Sequence, residues 1–215
     1  MTVLALDTTS EYGSLALRSG GELIVETAVH SAEGFAHLIF GEIEKLLVGA
    51  AIRLEQIDCF AAASGPGSFT GVRVGLAAVK GLAEALGQPA VGVSNLQALS
   101  SFGHAPLRAV VLDARRGDVY AGLYNSHLQP LAPELVTKAP DWLHSLPEAD
   151  YQFISPLGRE LLAGTKFAAL PVLEPPRALA PAVAYCAEKT VWSDPAALDA
   201  NYVRRSDAEL FWKES

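Results

Sequence analysis

Two stretches, VLALDTTSEYGSLAL at residues 3–17 and AVVLDARRGDVYAGLY at residues 109–124, decide how this chain is read. Each is a short apolar run that ends in an aspartate, then a turn containing glycine, then a second run rich in strand-forming residues. Runs of four to six such residues bounded by turn chemistry read as paired strands. An aspartate at the exit of a strand can bond the backbone two residues on and so start the turn. The two stretches are the nearest thing in the chain to an internal repeat. As a repeat they imply two similar half-domains, with the seam near SFGHAP at residues 101–106. A chain of 215 residues is long enough for that.

Outward from the first copy, SLALRS (14–19) and ELIVETAV (22–29) flank Gly20-Gly21, a strong hairpin signal, so the chain opens with three antiparallel strands. A helix follows over residues 33–49, where Phe35, Leu38, Ile39, Ile43, Leu46 and Leu47 recur at helical spacing. CFAAAS (59–64) is a short uncharged strand, and a helix over residues 70–86 ends at Gly87 with Pro89 behind it. AVGVS (90–94) is another strand, and Ser94 or Asn95 can cap a short helix to about residue 101. The second half offers a strand near 134–138, a helical turn at DWLHSL, strands at YQFIS and AALPVLE, and a short helix at GRELLAG between them. A loop is marked by Pro171, Pro175 and Pro176, and a last helix covers residues 179–192. The reading divides the chain at 1–103, 104–178 and a tail at 193–215, with the 179–192 helix able to return to the first lobe.

SGPGSFTGVRVG (64–75) lies between the 59–64 strand and the helix after it, where many proteins hold a phosphate. The P-loop needs Gly, four residues, then Gly-Lys-Ser/Thr; Gly65 to Gly71 is one residue too long, and Val72-Arg73 replaces the lysine and hydroxyl. The dinucleotide fingerprint fits Gly65 and Gly67, but Thr70 stands where its third glycine belongs. Ser68 is not centred in a Gly-x-Ser-x-Gly elbow. The stretch reads instead as a sharp exit from a buried strand, with Ser68 or Thr70 as the helix N-cap.

That helix is unusual. Its charges, Arg73, Lys80 and Glu84, form one narrow stripe, and Gly71, Gly75 and Gly81 each cost up to about 1 kcal/mol against alanine. A helix apolar nearly all round is buried on most sides. One face is expected on the sheet and a second against another helix, within the chain or from a partner. The preceding helix adds Phe40 and Val48 to its apolar stripe, with Gly41 and Gly49 beside them. The candidate interface is His37, Phe40, Gly41, Gly71, Val72, Gly75, Leu76 and Val79.

The formal charge is −8, which disfavours stand-alone binding of nucleic acid, since phosphate neutralisation supplies most of that affinity. Cys59 and Cys186 have neither disulfide-framework nor metal-ligand spacing and read as reduced core thiols. The start MTVLALD has no basic and apolar leader before it, and no apolar run nears the roughly 20 residues of a membrane span. A cytoplasmic location is expected.

ALDTTSEYGSLAL, SGPGSFTGVRVGLAAVKGLA, GVSNLQAL and LDARRGDVY together resemble the bacterial TsaB (YeaZ) family, with YVRR near the C-terminus a weaker match. The resemblance implies an α/β, actin-like, duplicated ribonuclease-H-type fold with a reduced second lobe. It implies a role in making N6-threonylcarbamoyladenosine at position 37 of certain transfer RNAs, as the non-catalytic dimerisation partner of a catalytic TsaD-like protein, with a TsaE-like ATPase joining. It also implies that the two helices above form the bundle between partners and that the chain forms a homodimer when alone. Cofactors, ATP and metal, are expected on the partner subunits and none on this chain. The His-x-x-x-His metal pair of the catalytic relative is absent, since His30 and His37 are seven apart and His104, His127 and His144 stand alone. Arg115-Arg116 and Arg204-Arg205 read either as solvated turns or as contacts with transfer RNA inside the complex. Asp7 and Asp113, at equivalent strand ends, read as turn residues; the alternative is an independent actin-like kinase or ATPase that holds a metal-nucleotide on them. A peptidase is a third reading, which no serine elbow or Cys-His pattern supports.

Overall fold

The computed structural model describes residues 1–203. Its first sheet is built around β1 (Thr2–Asp7), where Val3, Leu4, Ala5 and Leu6 are fully buried. β2 (Tyr12–Ser19) runs antiparallel to it, placing Leu4 opposite Leu17 and Leu6 opposite Leu15. The hairpin at Gly20-Gly21 returns as β3 (Glu22–His30), whose alternating exposure marks a sheet edge. β4 (Cys59–Ala63) and β5 (Ala90–Val93) then add in parallel on the other side of β1. Parallel neighbours need crossovers, and α1 (Ile39–Gly49) and α2 (Phe69–Leu86) supply them. The strand order is β3-β2-β1-β4-β5.

The second sheet repeats this plan strand for strand. β6 (Leu107–Asp113), β7 (Asp118–Asn125) and β8 (Leu135–Lys138) are its antiparallel half, and β9 (Tyr151–Ile154) and β10 (Val172–Leu173) its parallel half, in the order β8-β7-β6-β9-β10. Its crossovers are cut down. α4 (Ala139–Ser145) stands where α1 does, and a 3-10 turn, Gly158–Leu162, where α2 does. The fold is thus a duplicated, actin-like α/β architecture with a reduced second lobe.

Two compact units result, Met1–Ala98 with Pro176–Ala200, and Leu99–Pro175 with residues 201–203. Odd-numbered Leu15 and Leu17 of β2 point into one core with Ile39, Ile43, Leu46 and Leu47 of α1 and Val72, Leu76 and Val79 of α2. Even-numbered residues of the same strand face α5 (Ala180–Ala187), as the two-residue period of a strand requires. Ser14 Oγ accepts the first α5 amides, from Leu179 N at 3.0 Å and Ala180 N at 2.9 Å. Arg18 Nε meets Glu188 Oε2 at 3.0 Å at the other end of the helix. In the second unit Trp142, Leu143, Phe153 and Phe167 close one core over β6 and β7.

Three boundaries depart from the sequence reading. α1 begins at Ile39 because residues 31–38 turn, with Ser31 Oγ donating to Gly34 O at 2.6 Å and Gly34 at φ +87°. Phe35 leaves the expected helix and lays its ring against Gly13. α5 ends at Ala187, whose carbonyl accepts from Trp192 Nε1 at 2.9 Å. The stretch read as the start of a tail instead bridges β5 through Ser193 and Ala90 and sends Leu198 into the first core. A short α3, Asn95–Ser100, follows β5, capped by Ser94 Oγ, which accepts from Leu96 N at 3.1 Å. Among the described residues no helix is long and apolar enough to cross a membrane.

Candidate functional site

Ser68 is the N-cap of α2, accepting from Gly71 N at 3.3 Å. The glycines around it are explained by what lies beneath them, the turn after β1. Ser68 N donates to Thr9 O at 2.7 Å, and Thr8 Oγ1 donates to Gly71 O at 2.7 Å. A Cβ on Gly67 would stand 2.7 Å from Thr9 O, one on Gly71 would overlap the Thr8 carbonyl, and one on Gly75 would stand 2.6 Å from Thr8 Oγ1. Asn95, at the start of α3, locks the same place from a third side. It exchanges backbone and side-chain bonds with Gly65, at 2.8 Å and 3.1 Å, and its Nδ2 donates to Thr9 Oγ1 at 2.6 Å. The glycine stretch is therefore a seat for the chain's own first turn. Thr8 and Thr9 were not singled out in the sequence, and Asn95 only as a helix cap; the chain of hydrogen bonds identifies their joint role.

Asp7 and Asp113 end equivalent strands, and each carboxylate accepts the backbone N–H two residues on, from Thr9 at 2.9 Å and Arg115 at 2.8 Å. This is the turn-stabilising geometry. Their surroundings differ. Asp113 is exposed, whereas Asp7 is buried and also accepts from Thr9 Oγ1 at 2.6 Å. Burial pushes the Asp7 carboxyl above its ordinary value of 3.8, and the two bonds from Thr9 pull only partly against it. Folded Asp7 thus holds its proton more tightly than unfolded Asp7. Its contribution to stability is fully present below 3.8 and is lost as pH rises through the folded value. Asp7→Asn keeps an acceptor for Thr9 without the charge. Its melting temperature relative to wild type should climb as pH rises above 3.8. A constant difference across that range would refute the buried-acid account.

Among the described residues no group of three or more His, Cys, Asp or Glu could hold a metal ion. Cys59 and Cys186 are buried, and desolvation pushes both thiols up to about 12, which leaves neither a nucleophile at neutral pH.

The expected helical interface is half corrected. α2 packs on β4, β1 and β5, and Val72, Leu76 and Val79, at 4%, 6% and 0% exposed, belong to the chain's own core. Gly71 and Gly75 face Thr8. Val72, Gly75, Leu76 and Val79 are buried and do not present a surface, and Gly71 is half-buried over Thr8. The outward face of α2 carries Phe69, Ala77, Gly81 and Ala85, with Arg73 stacked over the Phe69 ring at 3.7 Å. From the α1 side, His37, Phe40, Gly41 and Val48 are exposed, Phe40 by 57% and Val48 by 74%. Arg115 and Arg116 are exposed in the turn between β6 and β7, and Arg204 and Arg205 lie outside the described residues.

The family model described as TsaD, tRNA N6-adenosine threonylcarbamoyltransferase, matches residues 29–209. The tRNA threonylcarbamoyladenosine biosynthesis protein TsaB of Bacillus subtilis is 30% identical over 229 aligned positions, covering 100% of this chain and 99% of that protein. The chain belongs to the TsaB (YeaZ) family. A Pseudomonas aeruginosa protein, described as having similarity to the peptidase YEAZ, superimposes with a TM-score of 0.79 at 24% identity, covering 94% of this chain and 99% of that one. Component A of the Acidaminococcus fermentans (R)-2-hydroxyglutaryl-CoA dehydratase shares the fold alone, with a TM-score of 0.52 at 9% identity over 86% of this chain and 97% of that one. Family membership ties the chain to the biosynthesis of threonylcarbamoyladenosine in transfer RNA.

Proposed function

We propose that this chain is the non-catalytic partner subunit in that biosynthesis, binding and activating a TsaD-like catalytic subunit, with a TsaE-like ATPase joining. The observation that carries the reading is the outward face of α1 and α2. Phe40 and Val48 are exposed on α1 and Phe69 on α2, and the small residues Gly41, Ala77, Gly81 and Ala85 are exposed on the same helices. Exposed apolar patches of this kind mark interaction sites, and a twofold homodimer would cover the same face when the partner is missing. ATP and metal belong on the partners in this reading. The net charge of −8 makes transfer RNA a ligand of the complex more than of this subunit.

The test is ATP turnover and threonylcarbamoyl transfer by the purified chain, alone and with the TsaD-like protein of the same organism. The chain alone should be silent, and transfer should appear only with the partner. Steady turnover by the chain alone, abolished by Asp7→Ala, would replace this reading with an actin-like kinase.

A further inference from the structure

The carbonyl end of α2 carries an acid where a helix favours a base. The last turn of the helix contains Glu84 and no basic residue. The macrodipole places partial negative charge at that end, so a carboxylate there is repelled and a cation is attracted. The chain supplies no compensation. Among the described residues no ion pair reaches Glu84, and Lys80, one turn back on the helix, does not pair with it. A local rule broken without an internal gain marks a functional position.

Glu84 lines a cleft of about 540 Å³ within the first unit, between the end of α2 and the segment that follows α5. Both walls are fixed. Gly87 caps α2 in the left-handed conformation at φ +65°, and Gln88 N donates to Ala83 O at 2.9 Å. On the other wall Ser193 exchanges backbone bonds with Ala90, at 3.0 Å and 3.2 Å. Trp192 uses its one polar atom within the chain, Nε1 donating to Ala187 O at 2.9 Å, so what it gives the cleft is ring surface. Asp194 Oδ1 accepts from Ala196 N at 2.8 Å, which holds the second carboxylate of the lining in place. Among the described residues no basic side chain lines the cleft.

We propose that this cleft receives an arginine side chain of a partner protein. Two carboxylates, the negative end of an 18-residue helix and the ring of Trp192 all favour a cation there. Carboxylates accept the N–H groups of a guanidinium in short, charge-assisted bonds. A guanidinium is also more weakly hydrated than an ammonium and stacks better on an aromatic ring. The net charge of −8 adds to the attraction. The volume is that of a site for a small ligand, and Glu84, Gly87 and Asp194 are exposed, so a side chain can enter while still attached to its own backbone. The inference stands apart from the accessory-subunit reading, since it uses none of Phe40, Val48 or Phe69.

The experiment titrates the full chain with the capped peptide acetyl-Gly-Arg-Gly-amide. It follows the Trp192 indole N–H signal by NMR, assigned through its loss in Trp192→Phe. Two further probes are the same peptide with citrulline, which keeps the shape without the charge, and methylguanidinium, which carries the charge without a chain. The arginine peptide should move the Trp192 signal saturably and leave that of Trp142, buried in the other unit, in place. The citrulline peptide should bind at least about tenfold more weakly. The double variant Glu84→Gln, Asp194→Asn keeps a good helix former and the turn acceptor, so it should melt at or above the wild-type temperature. Its affinity for the arginine peptide should fall by at least about the same tenfold. No saturable shift of Trp192, equal binding of the citrulline peptide, or undiminished binding by the folded double variant overturns the proposal. Methylguanidinium binding as tightly as the peptide overturns the assignment to a partner's side chain.

Discussion

Gly75→Leu should unfold the protein or leave it insoluble, while Gly81→Ala, six residues along the same helix, should stabilise it. Both glycines sit inside α2, and intrinsic helix propensity favours either replacement by up to about 1 kcal/mol. Their surroundings reverse the sign at one of them. A Cβ on Gly81 meets nothing within 4 Å, so the propensity gain is kept. A Cβ on Gly75 would stand 2.6 Å from Thr8 Oγ1, and the rest of a leucine would have to enter the β1–β2 turn. Thr8 cannot swing clear without breaking its 2.7 Å bond to Gly71 O. Overpacking typically costs about 1–3 kcal/mol, here with a lost half-buried hydrogen bond of about 1 kcal/mol besides. Against a total stability of about 5–15 kcal/mol that is a large fraction. Urea melts of the two variants beside wild type are the check. A Gly75→Leu protein as stable as wild type would mean that α2 is rotated from the position described.

Phe40→Glu should leave the fold intact and weaken assembly at least about thirty-fold. The side chain is 57% exposed on α1 and contributes little to the core, so the melting temperature should stay close to wild type. Truncating an aromatic anchor at the centre of an interface typically costs about 2 kcal/mol or more, which is roughly thirty-fold in affinity. A buried carboxylate on the partner's apolar surface adds to that cost. Titration against the TsaD-like subunit, and light scattering of the chain alone, should show both complexes weakened together. A folded variant that binds with undiminished affinity would remove this face of α1 from the interface, and with it the observation on which the functional reading leans most.

The duplicated motif was legible because its signals are local. A strand, an aspartate that bonds two residues ahead and a glycine-bearing turn all lie within about fifteen residues, so both halves of the architecture follow from 3–17 and 109–124. The orientation of α2 was not legible. The polar stripe of Arg73, Lys80 and Glu84 is too narrow to say which of the remaining sides meets the sheet, and the glycines that meet Thr8 look the same as the one that meets solvent. Gly71 and Gly75 are explained by Thr8, some sixty residues earlier, and no pattern within the helix encodes that contact. The same holds for Leu198, whose place in the first core is set by the Ser193–Ala90 bridge and not by any periodicity of its own segment. Phe35 misled for a different reason. It continues the helical spacing of α1 in sequence, yet the chain turns through residues 31–38 before the helix starts at Ile39, and the ring is used against Gly13 instead.

The return of α5 to the first sheet has a consequence for synthesis. The face of β2 that carries Ser14 and Arg18 is covered by residues 179–188, and Leu198 completes the other side. A ribosome making about 5–20 residues per second needs roughly 5–20 s to travel the hundred residues from the end of the first segment to those positions. Through that interval the nascent amino-terminal lobe carries an uncovered apolar sheet, while the lobe that starts later holds nearly all of its own chain in one uninterrupted run. The lobe made second is therefore positioned to close first, and the lobe made first is finished last.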